Sequence, residues 1–99
     1  MPADHDLLWQ AALEDVCTAR ADQISKHGHT PESDAQLPVR QLAAEVHDRA
    51  QGVLDELTGN PAPDRLAIAY RRMIRTAAVA IAAAERINLE IIKSEEPLP

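Results

Sequence analysis

The chain has 99 residues, a formal net charge of -6, no Phe, and a single Trp, Tyr and Cys. That length suits one domain with little core to spare. The acidic balance argues against a duplex nucleic-acid partner, which asks for a basic face against the phosphates. With Cys17 alone, a disulfide framework is excluded and a reducing compartment is expected.

With so few aromatics, the core must come from Leu, Ile, Val and Ala. Small side chains give each helix little apolar area, so a subunit interface is an expected source of further burial. The N-terminal Met-Pro-Ala-Asp-His-Asp is acidic, the wrong sign for a signal peptide. The longest uncharged apolar run, Thr76 to Ala84, is too short to cross a bilayer. A soluble cytoplasmic protein with no membrane contact is the expectation.

Helix one is predicted from Asp6 to His27, capped by Asp4 or Asp6 and ended by Gly28. On a helical wheel Trp9, Leu13, Val16 and Ile24 define its buried side, and Arg20, Gln23 and His27 project from that same side. Polar groups on a core-facing stripe need partners. Two readings follow: a wall facing a bound phosphate or base, or a network joining helix one to Glu32 and Asp34. Cys17 reads as a core residue.

The linker runs from Gly28 to Pro38, and within it Thr30-Pro31-Glu32-Ser33-Asp34 carries an N-cap residue before Pro, the start of one short helical turn. His27-Gly28-His29 lacks a third ligand in register and reads as a turn.

Helix two is predicted from Pro38 to Leu57. Leu42, Val46, Ala50, Val53, Leu54 and Leu57 form its apolar face, flanked by Glu45, Arg49 and Glu56. Glu45 and Asp48 have the spacing of a carboxylate pair one turn apart, with His47 beside them. Because Asp48 points away from the apolar face, a solvated surface is the favoured reading.

Gly59-Asn60-Pro61-Ala62-Pro63-Asp64 is a stop, a rigid turn and a new N-cap. Helix three is predicted from Arg65 to Lys93. One face is Leu66, Tyr70, Met73, Ala77, Ile81, Ala84 and Ile91, yet Val79, Ala82 and Ala83 on the other side are apolar too. A helix apolar all round is buried all round, so another subunit is expected to cover one side. Arg65, Arg71, Arg72, Arg75 and Arg86 give this helix a basic character. They suit either a phosphate strip or ion pairs with helix two. The expected fold is all-α: one domain over 1–99, a small bundle of three main helices with a long C-terminal helix. Residues 1–5 and 94–99 are expected to be flexible.

Two segments carry a family likeness. The first is Arg20-x-x-Gln23-Ile24-x-x-x-Gly28-x-Thr30-Pro31-Glu32-x-Asp34, followed by Gln41-Leu42-Ala43. The second is Arg71-Arg72-Met73-Ile74-Arg75-Thr76-Ala77-Ala78, ending in Ala82-Ala83-Ala84-Glu85-Arg86-Ile87. Together they resemble the dATP/dGTP pyrophosphohydrolase family of phages and prophages, an all-α group related to MazG-like enzymes. The likeness covers about Arg20 to Ile87.

The resemblance implies a site in which carboxylates hold Mg²⁺, which neutralises a triphosphate and activates water. Carried onto this chain, it implies Glu32, Asp34 and Glu85 as metal ligands, with Asp34 and Glu85 catalytic. It implies Arg20, Gln23, His27 and Arg75 as substrate-binding. Where the family places acids, this chain has Ala19, His27 and Gln41. The family's acid and lysine near the start of the last helix fall on Arg72 and Arg75, and of its two later acids Glu85 alone is retained. The implied function is therefore nucleotide binding with weak or lost hydrolysis to dNMP and pyrophosphate. Any surviving activity would be that of a Mg-dependent nucleoside triphosphate pyrophosphohydrolase. The expected assembly is a homodimer or higher homo-oligomer. The alternative is a non-catalytic helical interaction protein, a phage or plasmid accessory factor that binds a host protein through its acidic surface.

Overall fold

The computed structural model describes residues 2–95, with side-chain surroundings from Asp6 onward. It is an all-α bundle of four helices with no strand among the described residues: α1 Pro2–Ser25, α2 Pro31–Asp34, α3 Gln41–Glu56 and α4 Pro63–Glu95. Met1 and 96–99, part of the tails expected to be flexible, lie outside the described residues. None of the described helices is long and apolar enough to cross a membrane.

The stops read from the sequence are in place. Gly28 has φ 70° and Gly59 φ 77°, left-handed values that cost a glycine nothing sterically. Beyond Ser25 the backbone turns back, and the His29 N–H donates to the Gln23 carbonyl at 2.9 Å. Thr30 caps α2, its hydroxyl accepting from the Ser33 N–H at 3.1 Å, with Pro31 at the first helical position. Three helix starts differ from expectation, and the helix predicted from Pro38 begins at Gln41. α1 begins at Pro2, so Asp4 and Asp6 lie inside it and do not cap it. α4 begins at Pro63, which puts Asp64 in the first turn, where an acid suits the helix dipole.

α4 is the spine. The other three helices each pack against it and hardly at all against one another. At about 1.5 Å per residue α4 is roughly 50 Å long and α3 roughly 24 Å, and the molecule measures 58 × 31 × 24 Å. Leu42 of α3 meets Val79, Ala82 and Ala83 of α4 in the core, with Leu37 and Val46 packed at its edge. Glu56 ties the end of α3 to the start of α4 through Arg72 at 3.0 Å and Arg65 at 4.0 Å.

The structure corrects three predicted faces. On α4 the buried side is Ala69, Thr76, Ala78, Val79, Ala82, Ala83 and Arg86. The stripe predicted as a face, with Leu66, Tyr70, Met73, Ile81 and Ile91, is exposed. On α1, Val16 and Ile24 are half-buried, but Trp9 is 65% exposed and Leu13 48%, because nothing in the described chain covers that half of the helix. On α3, Leu42 and Val53 are buried while Leu54 and Leu57 are exposed. Cys17, read as a core residue, is exposed.

Candidate functional site

The centre of the structure is Arg20, a charged residue only 6% exposed. Its Nη2 lies 2.9 Å from Glu85 Oε2 and its Nε 3.4 Å from Glu85 Oε1, a two-pronged contact with α4. Nη1 donates to the His29 carbonyl at 3.0 Å and to Gln23 Oε1 at 3.5 Å. Nη2 is also 3.5 Å from Asp34 Oδ2. One guanidinium therefore joins α1, the linker, α2 and α4. The planar fork of arginine suits this, since it can serve several acceptors at once.

Asp34 is 4% exposed. Its Oδ2 has no hydrogen bond among the described residues, although Arg20 lies within ion-pair range. The charge is compensated, but no N–H is aimed at that oxygen. Glu85 differs, with two-fifths of its side chain open to solvent.

Beside this node lies a cleft of about 830 Å³ between α1, the linker, α3 and α4, within the usual size range of small-molecule sites. Arg20, Gln23, His27 and Arg75, the four residues expected to bind substrate, all line it, as does Asp34. Glu45 and Arg49 of α3 and His29 of the linker line it too. Arg49 and Arg75 form no ion pair among the described residues, unlike Arg20, Arg65, Arg72 and Arg86.

The expected metal set does not gather. Glu32 is exposed and lines neither this cleft nor the smaller cavity beside it. Asp34 and Glu85 come together, but around Arg20. Among the described residues no three His, Cys, Asp or Glu side chains converge as metal ligands would. A cation held by Asp34 and Glu85 would have to displace a guanidinium already there. The side chains as placed do not fit a protein-held Mg²⁺.

Of the two readings of the α1 stripe, the structure shows the polar network in part, with Glu32 outside it. Arg20 and Gln23 form a polar network that takes in Asp34, while His27 is exposed at the cleft. Glu85 pairs with α1 and not with Arg86 or α3. Of the basic residues on α4, Arg65 and Arg72 pair with Glu56 and Arg75 faces the cleft. Arg86, 7% exposed, donates to the Leu37 carbonyl at 3.0 Å and to Glu90 at 2.7 Å. That hydrogen bond holds the Glu90 carboxyl below its ordinary value, against a smaller opposing effect of burial.

Sequence reasoning does not single out Arg49 as a site residue and weighs Glu45 only as half of a carboxylate pair with Asp48. The signal was there: both flank the apolar face of α3 one turn apart, the position from which a side chain reaches over the edge of a core. Asp48 and His47 are exposed and touch each other at 3.5 Å. Comparison of the chain with protein-family models, with characterised proteins and with solved structures gives no match.

Proposed function

We propose that the cleft binds a phosphate-bearing small molecule, a nucleoside triphosphate by the sequence resemblance, and that hydrolysis there is weak or lost. The observation that carries this reading is Arg49 and Arg75 lining one cleft without carboxylate partners in a chain of net charge -6. Unpaired guanidiniums facing a concave surface are the groups that grip phosphate oxygens, by charge and by forked hydrogen bonds. Gln23, His27 and His29 line the same cleft and add hydrogen-bonding groups to it.

Weak or lost hydrolysis has a physical basis in the same geometry. Asp34 and Glu85, the acids that the resemblance makes catalytic, are engaged by Arg20. A carboxylate whose oxygens already face a guanidinium is poorly placed to hold a metal ion. Arg20 then acts as a brace that shapes the cleft, and substrate contact falls to Arg49 and Arg75.

Titration calorimetry with dATP and dGTP, with and without Mg²⁺, tests the binding, and pyrophosphate release tests the chemistry. Saturable binding with release at background is the expected result. Absence of binding by either nucleotide would sink the reading and leave the interaction-protein alternative. Rapid Mg-dependent release would overturn the assignment of weak hydrolysis.

A further inference from the structure

The cleft has two chemically different ends. Leu42, near the start of α3, sits against Val79, Ala82 and Ala83 of α4. Glu56, at the end of α3, pairs with Arg72 and Arg65. The two helices therefore run antiparallel, and positions between these contacts face each other in order. That register sets Arg49 level with Arg75. It sets Glu45 level with Val79, about one turn, roughly 6 Å, further toward Glu85. The two arginines make an exposed cationic end. The end at Glu45 is walled by Leu37, Leu42, Val79 and Ala82.

Glu45 is half-buried, and it is the acid of the cleft left without a cation. Asp22 has Lys26 at 3.4 Å and Asp34 has Arg20 at 3.5 Å. Glu45 forms no ion pair among the described residues. Arg49 stands four positions after it, the order and spacing that favour a helical pair, yet the two side chains do not meet. The cleft thus presents unpaired charges of both signs, separated along its length.

A carboxylate offers acceptor oxygens and no donor. Beside apolar walls it needs N–H groups supplied by the ligand. A nucleobase meets both conditions, since its ring faces are apolar and its edge is polar. Bases differ at that edge. Guanine presents two adjacent N–H donors, on the ring and on the exocyclic amine, and a carboxylate can accept both. Adenine and cytosine set a ring nitrogen beside the amine, and its lone pair would face a carboxylate oxygen. Thymine and uracil present one N–H between two carbonyls.

We propose that Glu45 reads the base, and that the cleft prefers a guanine nucleotide. Glu45 accepts from the guanine ring N–H and amine while Arg49 and Arg75 hold the phosphates. This rests on the phosphate-binding reading of the same cleft. Because Glu45 is partly open to water, it discriminates less than the sealed polar pockets that reject an analogue outright. The preference expected is that of one charge-assisted hydrogen bond, roughly 10- to 100-fold.

The test is calorimetric titration of the full chain with dGTP, dITP, dATP and inorganic tripolyphosphate. dITP lacks the amine of dGTP, and tripolyphosphate lacks a base altogether. dGTP should bind roughly 10- to 100-fold more tightly than dATP, with dITP between them. Glu45→Gln offers one donor beside one acceptor, the complement of adenine's edge. It should turn the preference toward dATP without weakening tripolyphosphate, in a protein of unchanged helicity by circular dichroism. Equal affinity for dGTP and dATP, or a dGTP preference that survives Glu45→Gln, would overturn the proposal and leave the phosphate site standing. Failure of tripolyphosphate and of every nucleotide to bind would overturn both.

Discussion

Replacing Arg20 by alanine removes the one cation between two carboxylates, and its cost can be worked from their burial. The Asp34 side chain is 5% exposed and that of Glu85 is 40%. Removing one partner of a buried ion pair costs about 3–5 kcal/mol, because the other charge is left uncompensated. Glu85 can hydrate in place, so its share falls toward the ~0–1 kcal/mol of a surface pair. The Asp34 contact is long at 3.5 Å, which favours the lower end of the buried range. The His29 carbonyl also loses its donor, at roughly 1 kcal/mol. The expected loss for Arg20→Ala is about 4 kcal/mol, or about 16–32 °C in Tm for a domain of this size. Urea unfolding at one fixed protomer concentration measures it, followed by circular dichroism. The double variant Arg20→Ala/Asp34→Asn should recover most of the loss, since the stranded charge is gone. A loss below about 1 kcal/mol, or no recovery in the double variant, would refute the reasoning.

Arg49→Ala and Arg75→Ala should each weaken dATP binding roughly 10- to 100-fold, the value of a charge-assisted contact to phosphate, with little change in unfolding; calorimetry and urea midpoints report the two. Gly28→Ala should cost about 1–2 kcal/mol through backbone strain alone. Gly28 has φ 70° and open space where the added Cβ would sit, so a neutral result in urea unfolding would contradict its left-handed role. The hydrogen bond to Asp15 raises the Tyr70 hydroxyl above the ordinary value of 10.0, with burial and the Asp15 charge adding to it. The stability it lends is thus fully present below that value and lost as pH rises through the folded-state value. Because Tyr70 is the sole tyrosine, phenolate absorbance follows it directly, and Asp15→Asn should lower its apparent pKa.

The sequence foretold the punctuation of this fold better than its faces. Gly28, Thr30-Pro31 and Gly59 act through local backbone chemistry, and each does what its residue type predicts. The α4 faces are another matter. Leu66, Tyr70 and Met73 are larger than Val79, Ala82 and Ala83, so any apolarity-weighted reading turns the wrong side inward. The chain packs its small side instead, because close approach of α3 to α4 needs alanines at the contact.

The candidate site was legible through its oddities. Arg20 and Gln23 stood out as polar groups on an apolar stripe, and Arg75 through the family likeness. All three line one cleft. What could not be read from spacing is that Arg20 sits between Asp34 and Glu85, residues 14 and 65 positions away by their numbering. Only tertiary structure shows that an acid pair is occupied by an arginine.

Arg49 and Arg75 line the cleft, and the proposed function makes it an anion site. Titration of dATP into the full chain without Mg²⁺, repeated with the Arg49→Ala/Arg75→Ala double variant, tests it most directly. A single saturable site, abolished in the double variant and weakened by added salt, is the result expected. No heat of binding, or equal affinity in the double variant, would contradict it.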